Sequence, residues 1–139
     1  MEKRIGKDIH IVANKIDRKK DKLMGGFDCT HSQSAVMFYI LNNKNRDIFQ
    51  RDIEEEFGIR RSSVSATLSN LEEKGYIARG SVSQDARLKR ITVTQKGEKL
   101  IEESTKIING FEKELIEKLT DEEIDTFYRV LDKLSKAAD

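Results

Sequence analysis

The sequence predicts a mainly α fold of the α+β class, in which helices make up most of the chain and carry one two-stranded hairpin. Apolar residues recur at helical spacing in six segments, and the 139 residues include no proline to interrupt them. One stretch, Arg87 to Thr94, instead alternates between two sets of side chains, as a strand does. These observations indicate a helical body from which a charged hairpin extends.

The first two helices are predicted from an apolar stripe and a capping pattern. Four aliphatic residues follow one another at steps of four, three and four, which places them on one helix face: Ile5, Ile9, Val12 and Ile16. Gly25 and Gly26 then interrupt the pattern. Thr30 and Gln33 have the spacing of a capping box, so they predict the start of a second helix that continues to Leu41.

The third and fourth helices are predicted on either side of a short turn. Gln50 to Phe57 forms a short helix that Gly58 stops. Arg60 to Lys74 forms the next one, and Gly75 follows at the position of a left-handed C-cap. The chain therefore contains a helix, a glycine-containing turn and a second helix in direct succession.

Two strands and two further helices complete the prediction. Tyr76 to Arg79 and Leu88 to Val93 are the strands of the hairpin. Thr94 to Leu119 is a long helix with a recurring apolar face. Thr120 and Glu123 repeat the capping-box spacing and begin the last helix.

The charge of the chain is unevenly distributed. The net charge is only +1, but residues 58–100 carry nine Lys or Arg against four Asp or Glu, a net +5 that leaves −4 for the remainder. A basic middle between acidic flanks is typical of a protein that binds a polyanion.

The order of elements in this basic middle is that of a winged helix-turn-helix. In that arrangement the second helix enters the DNA major groove, which is about 12 Å wide, and its N-terminal residues meet the base edges. The predicted DNA-binding residues of this recognition helix are mostly small or hydroxylated, so the backbone can approach closely: Arg61, Ser62, Ser63, Ser65, Ala66, Thr67 and Ser69. Arg61 could donate two hydrogen bonds to guanine.

The hairpin, or wing, is predicted to contact the flanking DNA. Its predicted DNA-binding residues are Arg79, Asp85, Arg87, Lys89 and Arg90. Arg87 lies near the tip, where it could enter the minor groove, and Lys89 and Arg90 would lie near phosphates. Asp85 precedes Arg87 by two residues, so its carboxylate could orient the guanidinium. Taken singly, a polar helix face or a basic hairpin is more often only a solvated surface.

The segment Leu71 to Gly97 resembles the wing region of the multiple-antibiotic-resistance-regulator (MarR) family. That family has an Asp-x-Arg motif at the wing tip and a Thr-x-x-Gly start to a long helix, which Asp85 with Arg87 and Thr94 with Gly97 match. Thr30 to Leu41 is similar to the family's second helix. Arg60 departs from the pattern because it replaces the usual Ser or Thr cap, so the recognition helix could instead begin at Ser62.

The resemblance implies a cytoplasmic bacterial homodimer that binds a pseudo-palindromic operator in double-stranded DNA, usually as a repressor that a small effector or oxidation releases. It implies an effector pocket between the dimer helices and the winged domain. The candidate lining residues here are Val12, Ile16, Phe27, Met37 and Phe38. Packing in the core is the alternative role for each of them.

The domain organisation follows from the apolar stripes at both chain ends. We expect an N-terminal dimerisation helix in residues 1–29, the winged helix-turn-helix in 30–94 and C-terminal dimerisation helices in 95–139, as one compact chain without a linker. A winged domain of about 70 residues cannot bury all of these stripes by itself. Pairing across a two-fold axis would bury them, and an intramolecular bundle is the alternative.

Cys29 is the single cysteine, which excludes an intrachain disulfide and favours a reducing compartment. It precedes a predicted helix N-terminus, where the helix dipole would lower the pKa of its thiol, so Cys29 is a redox-sensor candidate. An ordinary apolar role at the helix entry is the alternative. Peroxide sensors of the resembled family have tyrosines close to a reactive cysteine, and Tyr39 on the following helix is the corresponding candidate here.

Other function classes have little support in the sequence. His10 and His31 are the only histidines, too few for a zinc site without further ligands, and no metal or other cofactor is expected. No phosphate-binding loop or hydrolase motif occurs, so we expect no enzymatic activity. No secretion signal or membrane span is expected either. A helical protein–protein adaptor remains the alternative to a DNA-binding protein.

Overall fold

The computed structural model describes residues 1–82 and 85–139, with the backbone alone at positions 85 and 86. Within these residues the elements are, in order, α1 Ile5–Leu23, α2 His31–Asn42, α3 Gln50–Phe57, α4 Arg61–Glu73, β1 Ile77–Val82, β2 Asp85–Val93, α5 Gln95–Glu117 and α6 Asp121–Ala137. The strands form one antiparallel pair. The predicted mainly α fold with a single hairpin is confirmed.

Local sequence signals account for several helix ends. The Thr30 hydroxyl accepts from the Gln33 N–H while the Gln33 side chain accepts from the Thr30 N–H, and Thr120 and Glu123 repeat this reciprocal pair at α6. Gly58 after α3 has φ +62° and Gly75 after α4 has φ +81°, both in the left-handed region that favours glycine. These two capping boxes and the left-handed glycine after α4 were predicted.

The start of α4 resolves the question that Arg60 raised. The helix begins at Arg61, so the alternative start at Ser62 is wrong. Arg60 takes an extended conformation, with φ −72° and ψ 150°, and supplies the N-cap backbone without a side-chain cap hydrogen bond. The polar residues from Arg61 onward therefore lie in the first turns of the helix.

The chain divides into two compact units, Met1–Ile107 and Ile108–Asp139. The core of the first unit is formed by α2, α3, α4, the hairpin and the beginning of α5. Its most buried side chains include Met37, Ile48, Ile53, Val64, Leu68, Leu71, Ile77 and Ile91. The second unit contains the end of α5 and α6, and α6 buries none of its own residues.

The hairpin is hydrogen-bonded to the segment that precedes α3. Ile77 pairs with Val93 and Ser81 with Lys89, and the register shifts between Ser81 and Val82. The Ile91 N–H donates to the Ile48 carbonyl at 2.8 Å, so the segment before α3 runs beside β2. The wing is thus fixed to the loop that introduces the helix-turn-helix.

Thr94 and Gly97 form a tight joint between the hairpin and α5. The Thr94 hydroxyl donates to the Gly75 carbonyl at 2.6 Å and accepts from the Gly97 N–H at 3.2 Å. The Thr94 N–H donates to the Tyr76 carbonyl at 3.0 Å. A Cβ added at Gly97 would collide with that carbonyl oxygen and come within 2.6 Å of Val93 Cγ1. Only glycine fits at this crossing.

The apolar stripe of α1 is left uncovered in the single chain. Ile5, Ile9 and Val12 are 57%, 45% and 54% exposed, and no residue of α1 is buried. The division into residues 1–29, 30–94 and 95–139 and the dimerisation roles stay predictions.

Candidate nucleic-acid interface

The recognition helix α4 presents a polar outer face. Val64, Leu68 and Leu71 are completely or almost completely buried and define its inner face. On the opposite side five of the seven predicted DNA-binding residues are exposed: Arg61, Ser62, Ser63, Ala66 and Ser69. Ser65 and Thr67 are half-buried. A partner that approached this face would meet one guanidinium and short side chains first.

Ser65 is turned towards α3. The Gln50 side-chain amide donates to the Ser65 hydroxyl oxygen at 2.8 Å and to the Arg61 carbonyl at 3.3 Å. Ser65 is therefore bonded within the protein, in contrast to its exposed neighbours Ser62 and Ser63.

The predicted basic residues of the wing lie on its surface. Arg87, Lys89 and Arg90 are exposed. Lys89 Nζ donates to the Ser81 hydroxyl at 2.9 Å, and Arg90 approaches the Asp47 carboxylate at 3.6 Å. The Asp85 side chain lies outside the described residues, so its predicted action on Arg87 stays a prediction.

Arg79 at the root of the wing is already paired with an acid. Its guanidinium donates to Glu72 through Nη2 at 3.0 Å and through Nε at 3.3 Å. The hydrogen bond from Arg79, together with its charge, holds the pKa of Glu72 below its usual value. The pair ties the hairpin to the end of α4. Any contact of Arg79 with DNA would compete with Glu72.

One groove unites the recognition helix with the wing. It has a volume of about 460 Å³ and is lined by Arg61 from α4, by Arg79, Arg87 and Lys89 from the hairpin, and by residues of α3. Arg61 and Arg87, the two arginines predicted to contact bases and the minor groove, therefore open onto the same side. A single duplex could reach both.

The contribution of α3 to the groove was missed in the sequence. Gln50 and Arg51 at the start of α3 line it, although the prediction confined the interface to α4 and the wing. Arg51 adds a positive charge, and Asp52 and Glu54 add negative ones. The available signal was their position: the first helix of a helix-turn-helix runs across the DNA backbone.

Comparisons with known proteins indicate the family. Residues 27–88 match the model of the MarR family. Over 99% of this chain and 100% of the other, the structure resembles MepR of S. aureus in a DNA complex, with a TM-score of 0.90 and 28% identity. MepR in its DNA-binding conformation gives 0.84 over the same coverage at 28% identity. The family match and these structures support a winged-helix, DNA-binding transcriptional regulator of the MarR type.

A more distant structure shows the same fold. A mutant MarR from E. coli, complexed with operator DNA, covers 94% of this chain and 92% of its own at 24% identity, with a TM-score of 0.81. The six helices and the two-stranded wing are thus those of MarR-family structures.

The five candidate effector residues differ in their exposure. Met37 is completely buried, Ile16 and Phe27 are half-buried, and Val12 and Phe38 are 54% and 41% exposed. Phe27 lines a cavity of about 420 Å³, which lies between the end of α1, the start of α2 and α4. The burial of Met37 fits its alternative role in the core.

The environment of Cys29 overturns the expectation of a lowered thiol pKa. The side chain is 8% exposed, and Sγ donates to the Thr30 carbonyl at 3.3 Å. Burial raises the pKa of the Cys29 thiol from 9.0 to about 11, against a smaller lowering by the charge of Lys74. Tyr39 accepts from Arg46 at 3.0 Å through its hydroxyl. The predicted helix-dipole effect is outweighed by desolvation.

Cys29 should therefore react slowly with alkylating agents in the folded protein. Because thiolate is the nucleophile, two pKa units make the rate about a hundredfold lower than that of the unfolded chain at pH 8. The rate of iodoacetamide labelling, followed by mass spectrometry with and without denaturant, measures this. The neutral thiol stabilises the fold fully below pH 9.0, and that contribution is lost as the pH rises towards 11. Equal labelling rates in both states would contradict the buried thiol.

His31 lies between two carboxylates of α1. Nδ1 is 2.7 Å from Asp21 Oδ1 and Nε2 is 3.0 Å from Asp17 Oδ1, and the His31 N–H also donates to Asp21. Burial alone would raise the pKa of Asp21, but its hydrogen bonds with His31 outweigh this and lower it. Across residues 1–82 and 85–139 no group of three His, Cys, Asp or Glu side chains is arranged to hold a metal ion.

None of the helices in the described part of the chain is long and apolar enough to cross a membrane.

Proposed function

We propose that this protein is a homodimeric transcriptional repressor that binds a pseudo-palindromic operator in double-stranded DNA, acts in the cytoplasm without enzymatic activity, and is released by a small effector. The observation that carries the proposal is the groove shared by Arg61 and Arg87, since it turns the recognition helix and the wing towards one partner. The DNA complex of MepR, a structural relative, supports the same partner.

The proposed contacts divide into two kinds. Arg61, Ser62, Ser63 and Ala66 lie exposed on the first two turns of α4, where the residues of a recognition helix meet base edges. Arg87 would enter the minor groove beside them, and Lys89 and Arg90 would neutralise phosphates. The contacts to bases would specify the sequence, while the contacts to phosphates would supply most of the affinity.

The exposed stripe of α1 supports the dimer. Ile5, Ile9 and Val12 form an apolar surface along one helix face, a surface that a second copy could cover. A two-fold pairing would place two recognition helices about 34 Å apart, one turn of DNA, and this spacing matches two half-sites of a palindrome. Each protomer would then supply one wing and one α4.

The buried thiol of Cys29 supplies no support for oxidation as the releasing signal, so a small effector is the form of regulation that we propose. Its binding pocket is proposed to include Phe27, which lines the cavity beside α1 and α4. The adaptor alternative has no specific observation in its favour.

A salt titration tests the proposal. The duplex that the protein enriches from a random pool should bind with an affinity that falls at least about a thousandfold between 50 and 200 mM salt, because each neutralised phosphate contributes about −0.9 to the slope of log affinity against log salt. Fluorescence anisotropy measures this slope, with a scrambled duplex as control. Failure to enrich any sequence, or an affinity that salt does not change, would contradict a DNA-binding repressor.

A further inference from the structure

Gln50 occupies the junction between the two helices of the helix-turn-helix. It is the first residue of α3 and is half-buried, and it lines the groove that Arg61 shares with the wing. Its amide nitrogen donates to two groups of α4, the Ser65 hydroxyl at 2.8 Å and the Arg61 carbonyl at 3.3 Å. The amide is thus directed at the first two turns of the recognition helix.

The recognition helix has no cap of its own at this end. Arg60 contributes no side-chain hydrogen bond, although the first N–H groups of a helix lack partners within the helix. The turn from Gly58 to Arg60 connects α3 to α4, with Gly58 at φ +62° and the Ile59 N–H donating to the Glu54 carbonyl at 3.3 Å. Beyond this turn, the two bonds from Gln50 join the start of α3 directly to the N-terminal part of α4.

We infer that Gln50 is a positioning residue for DNA recognition, which holds Ser65 and the first turn of α4 in the orientation that presents Arg61 to the bases. This inference rests on the proposed function. It also fixes the role of Ser65: because its oxygen accepts from Gln50, the hydroxyl keeps its proton to donate to an acceptor on the DNA or within the helix. Gln50 acts through Ser65, not by contact with a base.

The expected signature is a loss of affinity for the enriched duplex that is larger than any change in affinity for a scrambled duplex. A bond of this kind is worth about 1 kcal/mol in general, which corresponds to roughly a fivefold change in an equilibrium constant. Phosphate contacts do not depend on the precise orientation of Arg61, so the affinity for a scrambled duplex should change little. The ratio of the two affinities is therefore the quantity that reports positioning.

A double-mutant cycle tests the inference. The variants are Gln50→Ala, Ser65→Ala and the two combined, with the duplex of about 30 base pairs that the wild-type protein enriches from a random pool, and a scrambled version of it. Gln50→Met keeps most of the side-chain volume but cannot donate, so it separates hydrogen bonding from packing. The matched control is Gln95→Ala, since Gln95 is likewise the first residue of a helix but is exposed.

Gln50→Ala and Gln50→Met should each lower the ratio of enriched to scrambled affinity by about fivefold or more, while Gln95→Ala leaves it unchanged. In the Ser65→Ala background the same change should cost a smaller factor than in the wild-type background, because only the longer bond to the Arg61 carbonyl remains to be lost. Equal losses in both backgrounds, or an unchanged ratio, would overturn the inference. An equal loss on both duplexes that follows a lowered melting temperature would do so too. If the wild-type protein itself enriches no duplex, the proposed function fails as well, and that outcome is distinct from these.

Discussion

Gly97→Ala should destabilise the protein by about 3 kcal/mol, the largest effect on stability that we expect from a single added methyl group. The new Cβ would collide with the Tyr76 carbonyl oxygen and lie 2.6 Å from Val93 Cγ1. The first of these atoms is backbone, and the second belongs to a β-branched side chain with few alternative rotamers, so neither can move aside easily. Relief would require α5 to move away from the hairpin, which would break the Thr94 hydrogen bonds.

Gly110→Ala is the matched control, since Gly110 lies in the same helix and a Cβ there meets nothing within 4 Å. Removal of a glycine from a helix interior usually stabilises by about 0.5–1 kcal/mol. Chemical denaturation of both variants, with the wild type alongside, measures the difference. A Gly97→Ala variant as stable as Gly110→Ala would show that the joint is looser than the structure has it.

The combined substitution Arg61→Ala and Arg87→Ala should have the largest effect on DNA binding. Each arginine that reads a base or a narrow minor groove contributes about 1–3 kcal/mol, so the pair should weaken binding by about 2–6 kcal/mol. Both side chains are exposed around one groove, so their removal should leave the fold and the dimer intact. Anisotropy titrations with the enriched duplex measure the loss, and sedimentation measures the dimer.

A control must lose the same charge elsewhere. Lys133→Ala with Lys136→Ala removes two positive charges from α6, where Lys136 pairs with Asp132 at the exposed surface. This control should bind the enriched duplex within about twofold of the wild type, as expected for charges beyond the contact region. If both double variants lost affinity equally, net charge and not the groove would account for binding, and the assignment of Arg61 and Arg87 would be wrong.

The fold was predictable from the sequence because its signals are local. Thr30 and Gln33 are three residues apart, as are Thr120 and Glu123. The residues of each capping box are therefore close in the sequence and easily recognised. Gly75 likewise indicates a left-handed backbone conformation after α4, because glycine adopts a positive φ more readily than other residues do. The order of a short helix, a turn, a polar helix and a basic hairpin then left few arrangements to consider.

The details of the interface depend on contacts that the sequence does not display. Gln50 and Ser65 are 15 residues apart, and no periodicity marks them as partners. The carboxylate that balances Arg79 belongs to the preceding helix. The pKa of Cys29 depends on how deeply the chain buries it, whereas the sequence shows only that it precedes a helix. For Gly97 the motif was visible, but its steric reason needs the Tyr76 carbonyl in place.

The hydrogen bonds and packing contacts around the start of α5 limit how α4, the hairpin and α5 can move relative to one another. Thr94 bonds to Gly75, Lys96 bonds to the Lys74 carbonyl at 2.7 Å and lies 4.7 Å from the centre of the Tyr76 ring, and Gly97 rests on Tyr76 itself. The root of the wing, the last turn of α4 and the first turn of α5 therefore form a stiff hub. A rotation of α5 would therefore move α4 and the hairpin together. The distance between α4 and the hairpin would stay the same, while their orientation towards a bound duplex would change.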